Sequence, residues 1–341
     1  MVPESEHECK SMRALQYPIG IIGAGAWGTA LATVMQQAHG DALIWAHEAD
    51  VVAGINADQR NHLYLPSIGL AEGIRATGDI NEMVNCHALM LVTPAQHLRA
   101  TLLAMPKFTK PLILCCKGIE ADTQLLMSDV AAEICPDNPV AVLSGPTFAH
   151  EVAAGMPTAI TLACTNQALG AQLMRLVAAP AFRPYWSDDV VGAEIGGAVK
   201  NVLAIGCGVV DGAGLGLNAR ASLIARGFTE MQRYGLARGA KAETLAGLSG
   251  LGDLVLTCSS ENSRNFALGR GLGQGKSAAD MLADRRTVAE GASTAPVLLQ
   301  SAKKLGVNMP IVEAVCALLS GAATVAQVVE ALLSRPLRAE R

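Results

Sequence analysis

From Pro18 to about Ser187, short apolar runs alternate with longer segments of helical period. The runs at 18–22, 41–46, 88–93, 111–116, 139–144, 158–163 and 181–186 have strand length. The stretches 26–38, 122–135 and 166–178 place apolar residues at helical spacing. Continuously apolar strands separated by helices predict a mostly parallel sheet covered on both faces. The last strands can join it as an antiparallel extension, and strand order stays open. Beyond about Val190 the strand-like runs stop, and helical patterns cover 192–210, 219–237, 292–306 and 311–320. The pattern therefore predicts an α/β doubly wound N-terminal domain and an all-α C-terminal domain, with a boundary near 188–195. A single elongated domain, or a helix crossing that boundary, satisfies the same pattern.

The first strand breaks into a glycine turn. In IGIIGAGAWGTALA, residues 19–32, the apolar Ile19, Ile21 and Ile22 precede Gly23, Gly25 and Gly28 at G-x-G-x-x-G spacing, and a helical pattern follows. Such glycines serve a tight turn, close backbone approach to a pyrophosphate and close helix–strand contact, while the helix aims its N–H groups and positive dipole end at the phosphates. Glycine spacing alone also fits a structural turn; placed between a strand and a helix, it points to a Rossmann-type dinucleotide site made by Gly23, Gly25, Ala26, Trp27 and Gly28. Trp27 has a packing role as its alternative. The chain then divides into a flexible extension over 1–16, a dinucleotide-binding domain over 17–191 and a helical substrate and catalytic domain over 192–341.

Composition narrows the partners. Hydrophobic residues make up 51% and charged residues 16%, which allows a large packed interior. A net charge of −4 and only 4% aromatic residues argue against a nucleic-acid partner. Nine cysteines without C-x-x-C or Cys/His clustering suggest reduced thiols in a cytoplasm and no metal site. The N-terminus lacks the apolar core of a secretory signal, and no run reaches about 18 uncharged apolar residues, so no stable membrane insertion is expected.

Four further segments carry candidate chemistry. Lys117 follows the run 111–116, at the strand edge where open α/β sheets bind ligands, though a solvated loop lysine fits equally. SGPTFAHE, 144–151, makes a turn at Gly145 and Pro146, where Thr147 can cap the following helix. In GAEIGGAVKNVLAIGCGVV, 192–210, Lys200 stands inside an apolar helical run. A buried lysine has a lowered pKa and suits proton transfer to an oxygen, whereas a snorkelling lysine is the bland alternative. The adjacent Gly196 and Gly197 suggest close approach of another backbone. Asp253, in LSGLGD, is placed to hold a lysine, and a helix beginning near Arg264, beside Asn265, offers a fork for phosphate.

Together GAGAWGTALA, SGPTFAHE, GGAVKNVLAIG, GLGDLVLTC with its following SRN, and VAEG at 288–291 resemble the bacterial-type NAD(P)-dependent glycerol-3-phosphate dehydrogenases, from about residue 18 to beyond 310. The resemblance implies reversible reduction of dihydroxyacetone phosphate to sn-glycerol 3-phosphate, supplying glycerophospholipid synthesis. It implies Lys200 as general acid/base and Lys117 in contact with both ligands. Asp253, Ser263, Arg264 and Asn265 then serve the substrate, with Arg264 also near the cofactor. Gly145 and Thr147 fall on the substrate side, Ala149, Val288 and Glu290 on the cofactor side, and Asn201 and Thr257 beside the catalytic group. A hydroxyacid dehydrogenase of similar plan leaves SRN and GLGDL without a role. His47, where an NAD-specific site usually places a carboxylate, favours NADPH over NADH. Exposed helical faces in the second domain suggest a homodimer.

Overall fold

The computed structural model describes residues 17–283 and 289–337; the extension 1–16 and Val288 lie outside the described residues. The chain packs as two compact units. One holds the residues up to Cys116 together with Met127–Val190, the other Lys117–Leu126 together with the residues from Val191 on.

The first unit is built on eight strands: β1 (Tyr17–Ile22), β2 (Ala42–Trp45), β3 (Ile74–Thr77), β4 (Cys86–Leu91), β5 (Leu112–Leu114), β6 (Val140–Ser144), β7 (Thr158–Ala163) and β8 (Phe182–Ser187). Their order is β3-β2-β1-β4-β5-β6-β7-β8. The strands from β3 to β6 run parallel, β7 pairs antiparallel with β6, and β8 parallel with β7. The strand order reverses between β1 and β4, the switch point beyond which such sheets bind ligands. The helices are α1 (Ala26–His39), α2 (Ala49–Asp58), α3 (Leu98–Ala104), α4 (Met127–Ile134), α5 (Ala149–Ala153) and α6 (Gln167–Val177). Burial on both faces explains why β1 and β4 read as unbroken apolar runs.

Two elements of this unit left little trace in the hydrophobic pattern. β3 has only four residues, with Arg75 exposed between buried neighbours. α2 buries just Val51, Gly54 and Ile55. The helix expected over 122–135 begins only at Met127. Before it, 119–126 turn back on themselves, closed by an Ile119–Leu126 bridge with Gln124 at φ 62°. Ile119 and Leu126 join the core of the second unit, which is why the apolar spacing there resembled a helix face.

The second unit contains α7 (Val190–Gly212), α8 (Gly216–Ala237), α9 (Ala242–Ala246), α10 (Asp253–Cys258), α11 (Arg264–Gly273), α12 (Ala278–Leu282), α13 (Glu290–Lys304), α14 (Pro310–Leu319) and α15 (Val325–Leu333). A single π-helical turn, Leu248–Gly252, leads into α10. No strand occurs among its described residues. α7 is apolar all round because it is the central helix, buried continuously from Gly192 to Val210. By length and composition alone it would cross a membrane, yet 89% of its most apolar stretch lies inside the fold. Glu230 of α8 fixes the start of α14: its carboxylate accepts the Ile311 and Val312 N–H groups at 2.8 and 3.3 Å. Burial pushes its pKa up to about 7.

Candidate active site

In the first unit the glycine turn has the form that the sequence spacing requires. Gly23 adopts φ 109°, and a Cβ there would press on the Val92 and Thr93 backbone at about 3.0–3.2 Å. A Cβ on Gly28 would collide with the Gly23 carbonyl, so the start of α1 can lie against β1 only without a side chain. Around Gly25, by contrast, nothing lies within 4 Å of a Cβ position. No side chain caps α1, which leaves the amides of Ala26, Trp27 and Gly28 at an open helix N-terminus. Open space above Gly25 and uncapped donors around it fit a pyrophosphate. Trp27 packs on the core, 6.5 Å from the Phe182 ring, with its buried indole N–H unpartnered among the described residues.

Sequence reasoning passed over Asn61, which holds this turn. It is fully buried, and its amide nitrogen donates at 2.8 Å to both the Ala24 carbonyl and the Thr29 hydroxyl. A lone asparagine in a polar loop carries no signal in one sequence; only its burial identifies it. His47 is exposed just past β2, its ring 6.3 Å from that of Trp45. After β6, Gly145 lies against Ile160, where a Cβ would sit about 3.0 Å from its side chain. Thr147 does not cap the next helix: α5 has Phe148 at its N-cap and no side-chain bond, and the Thr147 hydroxyl donates back to Gly145 at 3.4 Å. The short turn spends its geometry on reversing direction, and Ala149 opens α5 instead.

The second unit assembles a charged cluster. Lys200, 6% exposed on α7, donates to Asp253 Oδ1 at 2.6 Å and to Thr257 Oγ1 at 2.9 Å. Thr257, one turn along α10, donates to the same Oδ1 at 3.3 Å. Lys117 donates to Asp253 Oδ2 at 2.7 Å. One fully buried carboxylate thus bridges two ammonium groups and leaves a formal charge of one positive unit. Burial brings the Lys200 pKa down to about 8, with Lys117 adding to the fall and Asp253 opposing it. Two of the three Lys200 N–H bonds are occupied, and the third has no partner among the described residues.

Glycine and a π turn put Asp253 there. A Cβ on Gly196 would collide with the Ser249 carbonyl, so α7 touches the Leu248–Gly252 backbone one turn before Lys200. π turns of this kind frequently accompany functional sites because they re-aim the next residues.

A second group gathers where α11 and α13 begin. Ser263 caps α11 by accepting the Phe266 N–H at 3.2 Å, and Arg264 is the exposed first residue. Arg264 has no ion-pair partner among the described residues. Asn265 Oδ1 accepts the Gly291 N–H at 2.9 Å, beside Glu290 at the start of α13. Asn201, buried next to Lys200, presents its carbonyl to Gly291, where a Cβ would come within 2.5 Å. Asn201, Asn265 and the start of α13 are therefore one assembly. Among the described residues, no group of three or more His, Cys, Asp and Glu is placed to hold a metal ion.

Residues 18–170 match the model for the N-terminus, and residues 189–330 that for the C-terminus, of NAD-dependent glycerol-3-phosphate dehydrogenase. A glycerol-3-phosphate dehydrogenase [NAD(P)+] of Erythrobacter litoralis is 62% identical over 322 residues, which cover 94% of this chain and 97% of that protein. One from Novosphingobium aromaticivorans is 59% identical over 327 residues, covering 96% of this chain and 99% of its own. The crystal structure of the Coxiella burnetii glycerol-3-phosphate dehydrogenase superposes with a TM-score of 0.89 at 36% identity, covering 94% of this chain and all of that one. With both halves matched in order and relatives aligned almost end to end, the chain belongs to the NAD-dependent glycerol-3-phosphate dehydrogenase family.

Proposed function

We propose that the protein is an NAD(P)-dependent glycerol-3-phosphate dehydrogenase, reducing dihydroxyacetone phosphate reversibly to sn-glycerol 3-phosphate. The observation that carries this reading is the Asp253 carboxylate bridged by Lys117 and Lys200, a buried cluster with net positive charge and one unused ammonium N–H. A bound nicotinamide dinucleotide, NADPH or NADH, supplies or accepts the hydride. In the reductive direction, negative charge grows on the substrate oxygen, and the Lys200 ammonium stabilises and protonates it. In the oxidative direction the neutral amine takes that proton back. Asp253 and Thr257 orient the amine, Lys117 contacts both ligands and adds positive potential, and Asn201 braces the start of α13.

Arg264 at the N-terminus of α11 grips the substrate phosphate and also serves the cofactor, and Ser263 and Asn265 shape that end. Phosphate binding far from the carbonyl then contributes to the rate by holding the reacting atom in place. Gly145 and Thr147 serve the substrate from the first unit. Gly23, Gly25, Ala26, Trp27, Gly28, His47 and Ala149 hold the cofactor there, and Glu290 does so from the second unit. The reading extends to a cytoplasmic enzyme that feeds glycerophospholipid synthesis, without stable membrane insertion or nucleic-acid partner. Exposed apolar side chains such as Leu217, 69% accessible near the start of α8, support a homodimer.

Purified protein given dihydroxyacetone phosphate and NADH or NADPH should lose absorbance of the reduced nicotinamide, with sn-glycerol 3-phosphate as product. No consumption of either nucleotide rejects the assignment.

A further inference from the structure

What stands beyond the end of β2 meets the adenosine of a dinucleotide laid over the glycine turn. Trp45 pairs with Ile22, and its carbonyl accepts the Gly23 N–H at 3.1 Å, so His47 and Glu48 emerge beside that turn. Glu48 lies about 20 residues past Gly28, the span at which an acidic side chain reaches the ribose hydroxyls in such sites. Its carboxylate is half-buried and fixed: Oε1 accepts the Tyr64 hydroxyl at 2.9 Å. Tyr64 is itself held by Asn61, whose Oδ1 accepts the Tyr64 N–H at 3.0 Å while its amide grips Ala24 and Thr29. One run of hydrogen bonds therefore ties the carboxylate to the pyrophosphate turn. Burial and the bond to Glu48 raise the Tyr64 pKa, keeping the phenol a donor. Glu48 Oε2 has no partner among the described residues.

The surrounding charge points the same way. Residues 41–59 contain Asp41, Glu48, Asp50 and Asp58 but no lysine or arginine. Arg60, the next cation, donates to the Pro66 carbonyl at 2.6 Å. A ribose 2′-hydroxyl needs an acceptor, which Oε2 provides; a 2′-phosphate needs a guanidinium and is repelled by a carboxylate. The structure assigns Glu48, positioned by Tyr64 and Asn61, as the group that selects the adenosine ribose and makes the enzyme prefer NADH to NADPH. This rests on the dehydrogenase reading and reverses the preference suggested by His47 alone. That imidazole faces a fixed carboxylate next door, a contact that a strand-end position in the sequence does not reveal.

The test is binding, read by the fluorescence of the reduced nicotinamide, with no substrate present. Wild-type protein should bind NADH at least about tenfold tighter than NADPH. Glu48→Gln should close most of that gap by improving NADPH binding, and Glu48→Arg should invert the order. Tyr64→Phe should weaken NADH several-fold. Glu48 makes no side-chain cap to α2, so these changes leave that helix start intact. NADPH bound as tightly as NADH by the wild type, or an unchanged ratio in Glu48→Gln, overturns the assignment while leaving the dehydrogenase reading in place. Binding of neither nucleotide overturns both.

Discussion

The glycine turn of the first unit and the lysine cluster of the second handle negative charge in opposite ways. The turn uses backbone: uncapped amides, open space over Gly25 and no charged side chain in direct position. It costs little to preform because its donors point toward solvent. The cluster uses full charges taken out of water, and a buried ammonium is tolerable only because Asp253 stands 2.6 Å away. Recognition by dipoles is robust to pH and local in sequence. Chemistry by buried charge is pH-sensitive and must be assembled from distant segments.

The sharpest way to break this contrast is Lys200→Ala. Loss of the proton donor should lower turnover by about 10³-fold or more, with NADH affinity changed less than about twofold, since binding belongs to the turn. Steady-state rates and nucleotide titration read the two separately, and a variant that keeps wild-type turnover sinks the role given to Lys200. A smaller but still large difference should separate two glycines. Gly28→Ala drives a methyl into the Gly23 carbonyl and should destabilise the protein by about 1–3 kcal/mol or more, with loss of nucleotide binding. Gly25→Ala meets empty space, so melting temperature should hold while nucleotide affinity falls. Equal melting losses in both would show that the turn is not shaped as described.

The pH dependence sharpens the same comparison. With the Lys200 pKa lowered to about 8, the ammonium needed for reduction disappears above that pH, and the rate should fall about tenfold per unit. Oxidation needs the neutral amine and should instead rise up to pH 8. Nucleotide binding should stay flat across this range. The smallest effect concerns Glu230, which lies outside both sites. Its folded pKa, about 7, exceeds the ordinary 4.5, so the folded form holds the proton more tightly and its contribution to stability is lost as pH rises from about 4.5 to 7. Melting temperature should decline by a few degrees over that window in the wild type and less in Glu230→Gln. Identical curves for the two proteins would remove Glu230 as the cause.

The sequence exposed each feature in proportion to how local it is. Gly23, Gly25 and Gly28 fall within six residues, so their spacing alone announced the turn. Lys200 stood out because an ammonium interrupts an apolar helix. Its partnership with Asp253 closes 53 residues of chain and that of Lys117 closes 136, distances at which no spacing rule operates. Family resemblance, rather than periodicity, brought those residues together. β3 was too short to declare itself, and Thr147 satisfied the composition of a cap without its geometry. Asn61 and the Glu48–Tyr64 contact needed burial and distance, which a string of letters lacks.

The chain passes between the units three times, because Lys117–Leu126 leaves the sheet, packs with the helices and returns to begin α4. A fragment starting at Val191 would therefore lack Lys117 and the two core residues Ile119 and Leu126. Exchange of the helical half between relatives, by recombination or in the laboratory, has to carry that ten-residue loop along. A simple cut at the apparent border would yield a chimera whose Asp253 faces one lysine of foreign design.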